Sequence, residues 1–161
     1  MEAIVSDTTA LIVLAKQHRL DLLGACFEQV LLPEAVYREW VAGDAAIETT
    51  VQDLEFLHVV ALDDSDLLTE LQALVDPGEA EALVLARERK LTLLVDEKKG
   101  RNIAQMMGIP VLGLVGVLLL AAEREILEQE TAGEILQEAK DDGFRLSDRL
   151  YWSFMERLGL R

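Results

Sequence analysis

Cysteine occurs once in the 161 residues, at Cys26, and histidine twice, at His18 and His58. One cysteine closes no internal disulfide, which suits a reducing cytoplasm, and Cys26 reads as a small core residue. Two histidines and one cysteine without zinc-like spacing argue against a structural zinc. His58, inside "LHVVAL", reads as a strand residue. Basic residues are scarce too: 15 Lys and Arg stand against 30 Asp and Glu, a net charge of −15. That excludes a broad basic surface for nucleic acid. Any nucleic-acid chemistry must rest on a local basic patch with bound cations, or on a partner. Long hydrophobic runs are missing as well. The most apolar stretch, "IPVLGLVGVLLLAA" from Ile109 to Ala122, is broken by a proline and two glycines and falls short of the roughly 20 residues that span a bilayer. No basic segment followed by a long apolar one opens the chain, so no leader peptide is expected. A soluble, cytoplasmic protein without membrane contact is the expectation. The four serines form no G-x-S-x-G elbow, and "GLVG" is neither a P-loop nor G-x-G-x-x-G.

What is present is an apolar half (51%) of the chain, enough to build the core of one domain. Short apolar runs alternate with segments of helical spacing. "AIVS", "QVLLP", "LHVVAL", "LTLLVD" and "PVLG" read as strands. Helices are expected at about 9–16, 20–25, 34–41, 66–74, 78–88 and 100–107, and "GDAAIETTVQD" reads as partly helical. Continuously apolar strands suit a parallel sheet covered on both faces, and the alternation argues for an open, doubly wound α/β fold. Beyond Gly116 the pattern is helical throughout. No repeat, low-complexity segment or linker marks a boundary, so a single domain over 1–161 is expected, with a core of about 1–122 and C-terminal helices over about 123–161.

In such sheets ligands bind beyond the carboxyl ends of the strands, and two aspartates fall there: Asp7 after the first strand and Asp96 after the fourth. Asp7 has a plain alternative role as a helix N-cap. Glu79, in "DPGEAEALVLA", has one too. Asp76, Pro77 and Glu79 resemble a capping box. Glu39 lies between Val36 and Trp40 and flanks a buried helical face, or is a solvated surface acid. Clustered carboxylates repel, and one takes up a proton unless a divalent cation balances them. Oxygen-only ligation would suit Mg²⁺ or Mn²⁺.

The series "VSDTTALIVLAK", "LLPEAVYREWVAG", "DPGEAEALVLA" and "LLVDEKKGRNIAQMMGIPVLGLVGVL" resembles the PIN-domain family, in particular the small prokaryotic PIN proteins related to VapC toxins. The likeness covers roughly Ile4 to Leu120, and the tail "FRLSDRLYWSFMERLG" resembles the C-terminal helix of that subgroup. It implies a three-layer α/β/α fold with a five-stranded parallel sheet in the order 3-2-1-4-5, which sets the first and fourth strands side by side. It implies a Mg²⁺- or Mn²⁺-dependent ribonuclease, often a toxin held by a cognate antitoxin. The family's acids fall on Asp7, Glu39, Glu79 and Asp96, and its hydroxyl on Thr9. Two departures stand out: the third position usually carries Asp, where this chain has Glu79, with Glu34 and Glu81 near enough to compete for the acidic roles, and the chain is strongly acidic for such a nuclease. Lys98, Lys99 and Arg101 are the local cations for an RNA backbone, or else a solvated helix surface. The C-terminal segment with Trp152, Phe154 and Met155 buries within the domain or in a homodimer. The rival to an enzyme is a catalytically weak or inactive PIN-fold module for protein association, which the −15 charge and the Asp-to-Glu change favour.

Overall fold

The computed structural model of the protein describes residues 3–160. Five strands, β1 (Ala3–Ser6), β2 (Gln29–Pro33), β3 (Leu57–Val60), β4 (Thr92–Leu94) and β5 (Val111–Leu112), form one sheet in the order β3-β2-β1-β4-β5, with every pair parallel. This is the order expected from the resemblance, and β1 and β4 are neighbours. Among the described residues the helices are α1 (Thr8–Lys16), α2 (Asp21–Cys26), α3 (Glu34–Gly43), α4 (Ile47–Asp53), α5 (Asp66–Gln72), α6 (Pro77–Arg89), α7 (Lys98–Met106), α8 (Leu114–Glu123), α9 (Gln129–Asp141) and α10 (Asp148–Arg157). α7 starts two residues earlier than its periodicity suggests, so Lys98 and Lys99 lie in its first turn.

The period-2 geometry of a strand sends successive side chains to opposite faces, and each strand here divides its residues accordingly. Ile4, Val30, Leu32 and Leu94 enter one apolar layer with α1 to α4 and α8 to α10. Val5, Leu31, Leu93 and Val95 enter the other with α5, α6 and α7. Coverage on both faces explains why the central strands read as unbroken apolar runs. β3 departs from that pattern. It is an edge strand, and His58 and Val59 are exposed.

The C-terminal helices belong to the first layer. Phe154 of α10 is fully buried beside Leu136 and Leu158, whereas Trp152, two residues earlier, is half exposed. Truncating a buried Phe removes its transfer free energy and leaves a cavity, so Phe154→Ala should cost about 3–5 kcal/mol in urea unfolding. Trp152→Ala should cost much less. Equal losses at the two positions would contradict this packing.

Candidate metal centre

The pairing of β1 with β4 starts the site. Ser6 lies opposite Leu94, and the Asp7 N–H donates to the Leu94 carbonyl at 2.9 Å. Asp7 therefore leaves the sheet at its carboxyl edge, beside β4. Its backbone is extended and it occupies the N-cap position of α1, yet its side chain makes no capping hydrogen bond. The carboxyl is 6% exposed. Burial pushes it up to about 7, against a pull downward from the Thr8 backbone; the charges of Asp76, Glu39 and Glu97 push further upward.

Glu39 arrives from α3. Val36 and Trp40 bury one face of that helix, and Glu39, beside Trp40, stands exposed at its margin. The buried Thr8 hydroxyl donates to Glu39 Oε2 at 3.1 Å and has a longer contact with Asp7 Oδ1 at 3.5 Å. α3 and α6 are fixed against each other by Glu81, whose Oε1 accepts the Ala35 N–H at 3.1 Å in the first turn of α3. Glu34 is engaged by Arg38, one turn along α3. The two acids that could compete with Glu39 and Glu79 thus have other partners. Gly78 makes the close approach possible: a Cβ there would lie 2.9 Å from Glu39 Oε2.

Glu79 stands at the start of α6. Asp76 is the N-cap, its Oδ1 accepting the Glu79 N–H at 2.8 Å, with Pro77 in the first turn. Only half of the expected capping box forms through the side chains, because the Glu79 carboxylate turns to Glu97. It lies against Gly100 of α7, its Oε2 3.8 Å from where a Cβ would be. Glu79 is 5% exposed. Burial, then the hydrogen bond shared with Glu97, then the charges of Asp76 and Asp7 hold it well above the usual carboxylate range. Asp76, Glu79 and Glu97 each offer an oxygen within 4.8 Å of the others.

Asp96 has a different environment. Its Oδ1 and Oδ2 lie 3.0 and 3.3 Å from the Leu114 N–H, in the first turn of α8. Gly113 leaves the carboxylate room, since a Cβ there would sit 2.7 Å from Asp96 Oδ1 and 2.9 Å from Arg101 Nη1. Arg101 donates to the Val95 carbonyl at 3.0 Å and stands beside Asp96. Burial raises the Asp96 carboxyl, while the Leu114 amide and Arg101 pull the other way.

The structure therefore brings Asp7 and Glu39 together across Thr8, joins Glu79 to Asp76 and Glu97, and sets Asp96 at the neighbouring strand end under Arg101 and α8. Thr9 faces a separate groove with Ile12, Lys16 and Asp142, and the hydroxyl in contact with the acids is Thr8's. Lys98 and Lys99 are exposed at the start of α7. Asp76 was legible as a cap but not as part of an acidic group, and Glu97 carried only the hint of adjacency to Asp96.

The donor set fits a hard divalent cation: it is all carboxylate, its members repel, and two of them are nearly stripped of water. A PIN-domain family model matches residues 3–160. The chain belongs to the PIN-domain family, a nuclease fold whose members are typically metal-dependent. No curated protein matches the chain.

The raised Asp7 carboxyl has a thermodynamic consequence for the metal-free protein. It titrates near 3.9 in an unfolded chain and about 7 when folded. Between those values the native state binds the extra proton, so this group's contribution to stability is fully present below about pH 4 and is lost as pH rises through 7. The slope is about 1.4 kcal/mol per pH unit for one group. Urea unfolding in EDTA should show that decline in the wild type and a flatter profile in Asp7→Asn. Parallel profiles would rule the assignment out.

Proposed function

We propose that the chain is a metal-dependent endoribonuclease that hydrolyses RNA phosphodiester bonds, one PIN-like domain acting as the toxin of a toxin–antitoxin pair in the cytoplasm. The observation that carries this is the burial of Asp7 and Glu79 together at the sheet's carboxyl edge, with both carboxyls raised well above the usual carboxylate range. A fold gains nothing in stability from such an arrangement, because each ionised acid lacks water and faces others of like charge.

Mg²⁺ or Mn²⁺ would be held by Asp7, Glu39, Glu79 and Asp96, with Asp76 and Glu97 alongside, and when bound it supplies an activated water and charge stabilisation on the phosphate. Each chain residue then has a task. Asp7 and Glu79 anchor the cation from β1 and α6. Thr8 orients Glu39 by its hydrogen bond, while Thr9, expected to orient Asp7 or the attacking water, faces a separate groove. Asp96 keeps acceptor capacity beyond the single Leu114 amide, since a carboxylate offers about four lone-pair sites. Lys98, Lys99 and Arg101 are the cations that meet the RNA backbone. A cognate antitoxin protein as partner, and a homodimer, are supported by the resemblance to small prokaryotic PIN toxins.

The second reading, a PIN-fold interaction module with weak or no catalysis, is favoured by the −15 charge and by Glu79 at a position where the family usually has Asp. Cleavage of single-stranded RNA separates the two. Wild type with Mn²⁺ should cut, EDTA should stop it, and Asp7→Asn should lower the rate about 100-fold or more, because several kcal/mol of transition-state stabilisation depend on the cation. The variant should remain folded by circular dichroism. Cleavage undiminished in Asp7→Asn would refute the assignment, and a wild type that never cuts would favour the module.

A further inference from the structure

We propose that the segment between α9 and α10, through Arg145, forms the second wall of a groove that takes single-stranded RNA beside the acidic centre. This rests on the nuclease reading above and adds to it a C-terminal segment far in sequence from the acidic residues.

A groove of roughly 1350 Å³ starts at Asp96 and Glu97, follows the first turns of α7, passes β5 and α8, and is closed on its far side by residues 144–147 and Leu150. The protein as a whole carries two acids for each base, 30 against 15. Lining this groove the ratio is inverted: Lys98, Lys99, Arg101 and Arg145 against Asp96 and Glu97. Among the described residues, Lys98, Lys99 and Arg145 take part in no ion pair. The same groove is lined by Val115, Leu119, Leu146 and Leu150, and Leu150 is 47% exposed.

Unpaired cations together with apolar surface in one groove match one polymer well. A single strand presents phosphates along one edge and uncovered base faces along the other, whereas a duplex hides those faces. A strand in this groove would end at the Asp96 side, next to the carboxylates.

Arg145 is set in place by its neighbours. Gly143, with φ +102°, ends α9, and the Phe144 N–H returns to the Ala139 carbonyl at 2.8 Å. The Ser147 hydroxyl accepts the Leu150 N–H at 3.1 Å and starts α10. In the bridge between these caps Phe144 and Leu146 are half-buried against the core, and Arg145 between them is exposed. The wall is therefore short, anchored at both ends and basic at its centre.

The test is fluorescence anisotropy of a labelled single-stranded oligoribonucleotide with the full chain. It is run in Ca²⁺, an oxygen-seeking cation that screens the acids, over a range of salt. Arg145→Ala should weaken binding roughly 5- to 10-fold and reduce the log–log salt slope by about 0.7. Arg145→Lys should restore part of it, Leu150→Ser should weaken binding with the slope unchanged, and Arg87→Glu, on the far end of α6, should change nothing. A duplex of the same sequence should bind more weakly. Arg145→Glu binding like wild type while Lys98→Glu binds less would overturn the wall and leave the nuclease reading intact. No binding by the wild type overturns the groove, and cleavage in Mn²⁺ then says separately whether the nuclease reading survives. A dimer that Arg145→Glu splits, with RNA binding unchanged, would assign this face to a second copy instead.

Discussion

Carboxylates held close together and out of water repel one another, and the arrangement of this protein's carboxyl edge follows from bringing them there regardless. The sheet order puts β1 beside β4, which sets Asp7 and Asp96 at neighbouring strand ends. The α3–α6 contact, fixed by Glu81 on the Ala35 amide and permitted by the missing side chain of Gly78, delivers Glu39 and Glu79. Removing water from Asp7 and Glu79 raises both carboxyls. In the absence of a cation the natural response of such a group is to keep a proton. A cation bound there would have to displace that proton, so binding and proton loss would be linked at one place in the fold.

The same constraint gives the acid surplus a reading. A charge of −15 repels a polyanion at long range, so RNA could approach only where the sign reverses locally. The groove from α7 to residue 145 is such a place, and it opens beside the carboxyl edge. Acidic surface elsewhere then limits where along the protein a strand can settle.

Much of the fold was legible because its signals are local. "AIVS" and "LTLLVD" are apolar runs of strand length, and Asp76-Pro77 marks the start of α6 as plainly in the sequence as in the structure. Asp7 and Glu79 could be singled out as candidates because they sit at element boundaries. The sequence is silent where one residue of register or one distant contact decides. Thr8 and Thr9 are indistinguishable as letters, and only the orientation of the first turn of α1 gives Thr8 the contact with Glu39. Asp96 read as an equal member of the acidic group, but Leu114 and Arg101, 18 and 5 residues away in sequence, give it a partly capped environment. Glu97 entered through the hydrogen bond with Glu79 on a helix nearly 20 residues earlier. Pairings of that kind leave no periodic trace in the chain.

The most direct measurement is anomalous X-ray scattering from crystals soaked in Mn²⁺, recorded near the manganese edge. An anomalous peak among the carboxylates of Asp7, Glu39 and Glu79 is predicted. Well-ordered crystals with no peak there at saturating Mn²⁺, or with Mn²⁺ bound only at acids remote from Asp7 and Glu79, would contradict the metal-centre reading.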